Sequence, residues 1–276
     1  FQVNVYLMAT HIGKRFAALA TADLANQYAL PFRSLTGSFL TRFCSAKTRP
    51  LAKVAVEQLS LNDDSRVLEL GYGRGHGLHY ALKKIKTGVV FGLEKSLYME
   101  EVVRKKFILE IAEERRLQLD QAFDLRLLPY PSDFFDGIFH VDFFYFLRQE
   151  SLPDICQELH RVLKPGASVV CVLKLSWLKQ LESYGLITSS QADPLRYLSC
   201  LEPCGFVNVK MDYVKGRDGE EEAQVIRCAK LSADQDYFDP DARMKDLELE
   251  VKAEMMSRQI GRPLSKQELN NLLNQT

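Results

Sequence analysis

The segment Val67-Leu68-Glu69-Leu70-Gly71-Tyr72-Gly73-Arg74-Gly75-His76-Gly77 constrains the fold more than any other stretch of the chain. A short apolar run ends around a carboxylate, enters a turn with glycine at alternate positions, and leads into helix-like spacing over residues 75–85. Glycine is needed where the backbone takes a positive φ or must approach a ligand closely. A strand, a Gly-rich turn and a helix in that order open a βαβ crossover, and such sheets bind ligands at the carboxyl ends of their strands. The spacing also separates cofactor chemistries. A dinucleotide fingerprint, Gly-x-Gly-x-x-Gly, needs a glycine where this chain has His76, and no Gly-Lys-Ser/Thr comes after it to make a phosphate loop. A nicotinamide oxidoreductase is therefore only the runner-up among enzyme classes.

The pattern continues along the chain. Residues 67–70, 89–93, 135–139 and 167–173 are short runs rich in β-branched or aromatic residues, as buried strands should be. Residues 75–85, 96–116 and 152–163 between them carry helical spacing. Residues 206–215 and 223–230 flank Gly216-Arg217-Asp218-Gly219 and read as an antiparallel hairpin. Lys164-Pro165-Gly166 reads as a helix stop and cap. The expected fold is α/β: a doubly wound, Rossmann-like, seven-stranded sheet, mostly parallel, with the last hairpin strand inserted antiparallel beside strand five. Residues 1–64 read as an N-terminal helical cap, punctuated by Pro31 and Gly37, with Pro50 opening a run through Leu59. Residues 65–231 form the sheet domain. Residues 232–276 read as a charged helical tail, whose last helix opens on the capping box Ser265-Lys266-Gln267-Glu268.

Charge excludes little globally: 36 basic residues balance 36 acidic ones, so there is no strong nucleic-acid signal. Locally, residues 1–53 hold seven bases and one acid, Asp23, which suits a basic cap or a mitochondrial targeting segment. The six cysteines lack metal-ligand spacing, so reduced core thiols and no metal site are expected. No apolar run reaches the ~18 residues that span a bilayer. A cytoplasmic protein is the expectation.

Glu94 ends the second expected strand, where a carboxylate can accept hydrogen bonds from both hydroxyls of a ribose. Further on come Phe123-Asp124, Leu128-Pro129-Tyr130-Pro131, Phe135-Asp136 and Glu158-Leu159-His160-Arg161-Val162-Leu163-Lys164-Pro165-Gly166. With the glycine turn, this ordered set resembles the class I S-adenosylmethionine-dependent methyltransferases, specifically their type 11 group, over about residues 59–230. The resemblance implies S-adenosyl-L-methionine as cofactor. It implies a cofactor site made of Glu69, Gly71, Tyr72, Gly73, Gly75, Glu94, Lys95, Asp124, Leu125 and His140, with Asp124 at the adenine amino group. Residues 35–40 and 50–52, with the Tyr145-Phe146 pair, also resemble small bacterial-type methyltransferases.

The residues after the fourth strand stand where a methyl acceptor would meet the cofactor. His140, Asp142 and Tyr145 are candidates to line that site, His140 mainly through its backbone, with Phe143, Phe144 and Phe146 as an apolar wall. No Asn/Asp-Pro-Pro-Phe/Tyr signature and no catalytic cysteine pair is present. Acceptor recognition should then fall to the N-terminal helices, residues 176–192 and the tail. A small-molecule or lipid-like acceptor is the first expectation. An RNA or protein acceptor is the alternative, and phosphate contacts would betray RNA by steep salt dependence. A non-catalytic cofactor-binding module is the third reading. Oligomeric state is left open.

Overall fold

The computed structural model describes residues 19–121, 124–214 and 223–232. The start of the leader, the turn at 216–219 and the expected tail from residue 233, with its capping box, lie outside the described residues.

Seven strands form one sheet: β1 (Arg66–Leu70), β2 (Val89–Glu94), β3 (Leu117–Gln121), β4 (Phe135–Val141), β5 (Leu163–Leu173), β6 (Phe206–Val214) and β7 (Ala223–Lys230), in the order β3-β2-β1-β4-β5-β7-β6. The first five are parallel, and β7 is antiparallel between β5 and β6. This is the doubly wound sheet expected, with its hairpin strand inserted beside the fifth.

Alternation along the central strands sorts side chains onto two cores. Val67, Phe139, Val170 and Val172 pack on one face with α2 (Leu35–Glu57), α3 (His76–Lys84) and α4 (Leu97–Lys106). Leu68, Leu70 and Ile138 pack on the other with α6 (Leu152–Val162), α7 (Leu175–Ser183) and α9 (Leu195–Leu201). Short helices α5 (Ile108–Ala112) and α8 (Ser189–Ala192) complete the set, and residues 19–29 form helix α1 ahead of α2. Asp136 fastens the lower edge, accepting from Arg66 N at 2.7 Å and from Lys164 Nζ at 2.5 Å.

Four local expectations need correction. Pro50 lies inside α2 rather than at the start of a helix. An internal proline costs about 3 kcal/mol. Burial of Leu51, Ala52, Ala55 and Val56 just beyond it offsets that cost. The helix expected over 96–116 breaks at buried Phe107 into α4 and α5. Beyond α5 the chain enters β3, a strand absent from the expected set. Lys164-Pro165-Gly166 belongs to β5, where Gly166 takes φ +80° next to a register shift, so α6 stops at Val162 without a glycine cap.

Candidate active site

The strand order reverses direction between β1 and β4, and an open cleft lies at their carboxyl ends. Its floor is the glycine turn, where Gly71, Gly73 and Gly75 all have positive φ. Gly73 has φ +48° and nothing within 4 Å of where a Cβ would point, so the turn is open to the cleft there. Gly71 differs, because the Phe143 ring packs directly over it.

Two buried carboxylates frame this turn. Glu69, 3% exposed, takes a backbone hydrogen bond from Leu78 in the first turn of α3, and Gly77 is glycine because a Cβ would run into that carboxylate. Burial pushes the Glu69 carboxyl well above its ordinary range, and its Oε2 has no partner. Glu94 accepts from Gly73 N at 3.1 Å, Lys95 N at 2.9 Å and Ser96 N at 3.0 Å. Burial raises its carboxyl too, against the pull of those three backbone donors. The Glu94 contact thus locks the glycine turn to the end of β2 before any ligand arrives. His76 also lines the cleft, and burial, with the Lys106, Arg49 and Arg74 charges nearby, lowers its imidazole to about 4, so it is neutral at pH 7.

The other end of the cleft is built from the chain after β4 and from the cap. Asp142 has φ +48° and is 6% exposed, and neither carboxylate oxygen has a hydrogen-bond partner. Burial raises its carboxyl to about 7, with Lys174 pulling the other way. Tyr145, fully buried, shares a 2.6 Å hydrogen bond between hydroxyls with Tyr28 of α1. Tyr28 also packs on the Phe146 ring, centroids 5.2 Å apart. Ser96 donates to Pro31 O at 2.5 Å, tying the α1–α2 connection to the far side of the cleft. Thr41, Cys44 and Thr48 of α2 complete this wall, and burial, with the Asp142 charge behind it, pushes the Cys44 thiol up to about 12.

Of the expected site residues, Glu69, Gly71, Tyr72, Gly73, Glu94, Asp142 and Tyr145 line this one cleft. Tyr72 turns its ring down onto Gly92 of β2 and is 3% exposed. Gly75 sets the N-cap of α3. Lys95 contributes its backbone N–H to Glu94. Three residues stand elsewhere. His140 has the parity of Ile138, so its ring faces the opposite core, where Nε2 meets the Tyr197 hydroxyl at 3.1 Å. Burial lowers that imidazole to about 3. Its side chain is therefore no acceptor-site acid or base, and the residue is not part of the cleft lining. Asp124 is exposed and paired with Arg126 at 2.8 Å, beside Asp154, Gln157 and Glu158. Leu125 is a core residue, 5% exposed. Sequence reasoning missed Gln27, Tyr28 and Met99. The first two lie on α1, far from every motif, and only the general assignment of the cap to the acceptor pointed to them.

The residues fit S-adenosylmethionine. The turn leaves an open cradle at Gly73, Glu94 ends the second strand beside it, and carboxylates surround the space a cationic ligand would take. Residues 67–166 match the family model described as "Methyltransferase domain". The sheet order and its flanking helices are the fold of class I S-adenosylmethionine-dependent methyltransferases, and the matched stretch runs from β1 into β5.

Solved structures share that fold. One is a chain of the complex between the Haloferax volcanii Trm112 methyltransferase activator and a methyltransferase, with 18% identity, TM-score 0.55, and coverage of 69% of this chain and 93% of that one. Another is the geranyl diphosphate C-methyltransferase of Streptomyces coelicolor A3(2), with 15% identity, TM-score 0.53, and coverage of 66% and 76%. A third is the Haemonchus contortus phosphoethanolamine N-methyltransferase 2 bound to S-adenosyl-L-methionine, with 13% identity, TM-score 0.52, and coverage of 66% and 53%. No curated protein sequence matches the chain.

Proposed function

We propose that the protein transfers a methyl group from S-adenosylmethionine to a small-molecule acceptor held between Asp142 and the helical cap. One observation carries this reading: the glycine turn and Glu94 share a single continuous cleft with Asp142, Phe143, Tyr145 and Tyr28. Cofactor and acceptor would then meet inside one cavity rather than at a surface. The Tyr28–Tyr145 hydroxyl bond closes the acceptor end with a cap residue, which favours a molecule small enough to sit under the cap over a polymer lying across it. This division of labour gives residues 1–64 acceptor recognition and residues 65–231 the cofactor.

In this scheme Glu94 accepts from the ribose hydroxyls, while Gly73 lets the backbone approach the amino-acid portion. The bound cofactor supplies an already activated sulfonium methyl. The chain's own task is to hold a nucleophile in line with it, and positioning of that kind supplies ~7 kcal/mol or more of the barrier reduction. Among the described residues, Asp142 is the one carboxylate at the acceptor end with both oxygens uncommitted, and a carboxyl near 7 is suited to take a proton at neutral pH. Two of the similar folds, by their printed names, belong to methyltransferases of geranyl diphosphate and phosphoethanolamine, both small molecules.

The test is transfer from labelled S-adenosylmethionine into metabolite, RNA and protein fractions, comparing the protein with its Gly73→Val variant. Label in the small-molecule fraction, lost in the variant, is the expected result. Label confined to RNA or protein, falling steeply with salt in the RNA case, would replace the small-molecule acceptor.

A further inference from the structure

The Asp142 carboxylate is an unusual thing to leave in a folded chain. It is 6% exposed, both oxygens lack partners, and its residue sits at φ +48°. Asp enters that left-handed region more easily than most residues, yet the conformation still costs energy that the surrounding structure must supply. A buried carboxylate without hydrogen bonds is more costly again. Strain and two unpartnered oxygens on one residue at the end of β4 mark a group held ready for a ligand.

The surroundings narrow what the ligand offers. Asp142 lines the main cleft and also a small adjoining cavity shared with Lys47, Lys174 and Trp177. The Lys174 charge acts on the carboxylate, but neither lysine hydrogen-bonds to it. On the cleft side its neighbours along the wall are Tyr28, Phe143, Tyr145 and Phe146. The Tyr28 and Tyr145 hydroxyls are turned to each other, and the raised affinity of both for their protons, caused first by burial and then in part by the Asp142 charge, keeps them neutral. A neutral hydroxyl on an acceptor would satisfy one carboxylate oxygen and leave the other without a donor. An ammonium group has up to three donors and a full positive charge, which meets both oxygens at once. Aromatic rings in the same cavity attract cations rather than anions.

We propose that the methyl acceptor is an organic amine, bound as its ammonium by Asp142 within the aromatic end of the cleft. This inference rests on the reading of the cleft as a methyltransferase site, and makes the reaction an N-methylation. The ammonium gives one proton to the Asp142 carboxylate, which frees the nitrogen lone pair. That pair forms the new N–C bond as the methyl's bond to sulfur breaks, with its electrons staying on the sulfur. The proton then leaves Asp142 for solvent.

The experiment is calorimetric binding, without turnover, in the presence of saturating S-adenosylhomocysteine. Three probes of one size are compared: benzylamine, benzyl alcohol and benzoate. The protein and its Asp142→Asn variant are both titrated; asparagine tolerates the same backbone conformation and keeps the shape. Benzylamine is expected to bind at least tenfold tighter than the alcohol, benzoate not to bind, and Asp142→Asn to lose the benzylamine advantage while keeping any affinity for the alcohol. Absence of benzylamine binding, equal binding of amine and alcohol, or benzylamine binding untouched by Asp142→Asn overturns the amine assignment. If S-adenosylhomocysteine binds while those results hold, the methyltransferase reading stands and only the acceptor class falls. If S-adenosylhomocysteine itself does not bind, both fall.

Discussion

Replacing Asp142 by asparagine should make the protein more stable, and increasingly so as pH rises. Burial lifts this carboxyl from its ordinary 3.8 to about 7, so the folded chain holds the proton far more tightly than the unfolded chain does. The stability this proton contributes is fully present below the unfolded value. It is lost as pH climbs through the folded one. Each tenfold in proton affinity is worth about 1.4 kcal/mol, so the penalty of keeping Asp142 ionised above pH 8 is about 4 kcal/mol. The asparagine amide carries its own desolvation cost, about 1–3 kcal/mol if it too finds no partner. That offset does not depend on pH, so the slope is the secure quantity. Urea unfolding at pH 4.5, 6, 7 and 8.5 should show the variant gaining about 3–4 kcal/mol on the parent across the series, levelling off above pH 8. Glu69 and Glu94 are raised as well, but they are common to both proteins and cancel in the difference. Parallel curves, or a variant that loses ground as pH rises, would refute the claim that this carboxylate is buried without a hydrogen-bond partner.

Glu94→Ala should weaken S-adenosylhomocysteine binding roughly ten- to a hundredfold, since a charge-assisted hydrogen bond contributes about 1.5–3 kcal/mol. Calorimetry on a variant with unchanged circular dichroism checks it. Gly73→Val should abolish binding of S-adenosylmethionine and S-adenosylhomocysteine while the core stays folded, because its Cβ projects into open cleft and the +48° backbone adds strain of about 1–3 kcal/mol. Gly77→Ala should destabilise the fold itself by about 1.5–3 kcal/mol, read by urea unfolding, since the new methyl displaces Glu69 from the Leu78 N–H.

The parts legible in the sequence are those where residue identity and local backbone carry the meaning together. Gly71 to Gly75, Glu94 at a strand end, and Asp142 just past another strand needed no tertiary knowledge to place at one end of a parallel sheet. The His140 side chain was legible in principle: it is two residues from Ile138, and the period of two puts both on the face away from the cleft. β3 was hidden because its Leu-Gln-Leu-Asp-Gln alternation comes after a helical stretch without glycine or proline between them, and the turn is made by Arg115 at φ +53°. Pro50 misled for a related reason. Packing against α3 and the sheet holds α2 together through a residue that ends helices on propensity alone. Tyr28 could not be read at all, since its partner Tyr145 is 117 residues away and only the fold brings them together.

The central claim is that the glycine turn takes S-adenosylmethionine, and thermal melting with competing ligands tests it most directly. A ligand at a hundredfold excess over its dissociation constant adds about 2.7 kcal/mol to the folded state. For a domain of this size that corresponds to a melting shift of roughly 5–10 °C. That shift is expected with S-adenosylmethionine and with S-adenosylhomocysteine, with its loss in Gly73→Val, and no shift with NAD or NADP, whose pyrophosphate wants a glycine where His76 stands. A shift with NAD and none with S-adenosylhomocysteine would contradict it and put an oxidoreductase in its place.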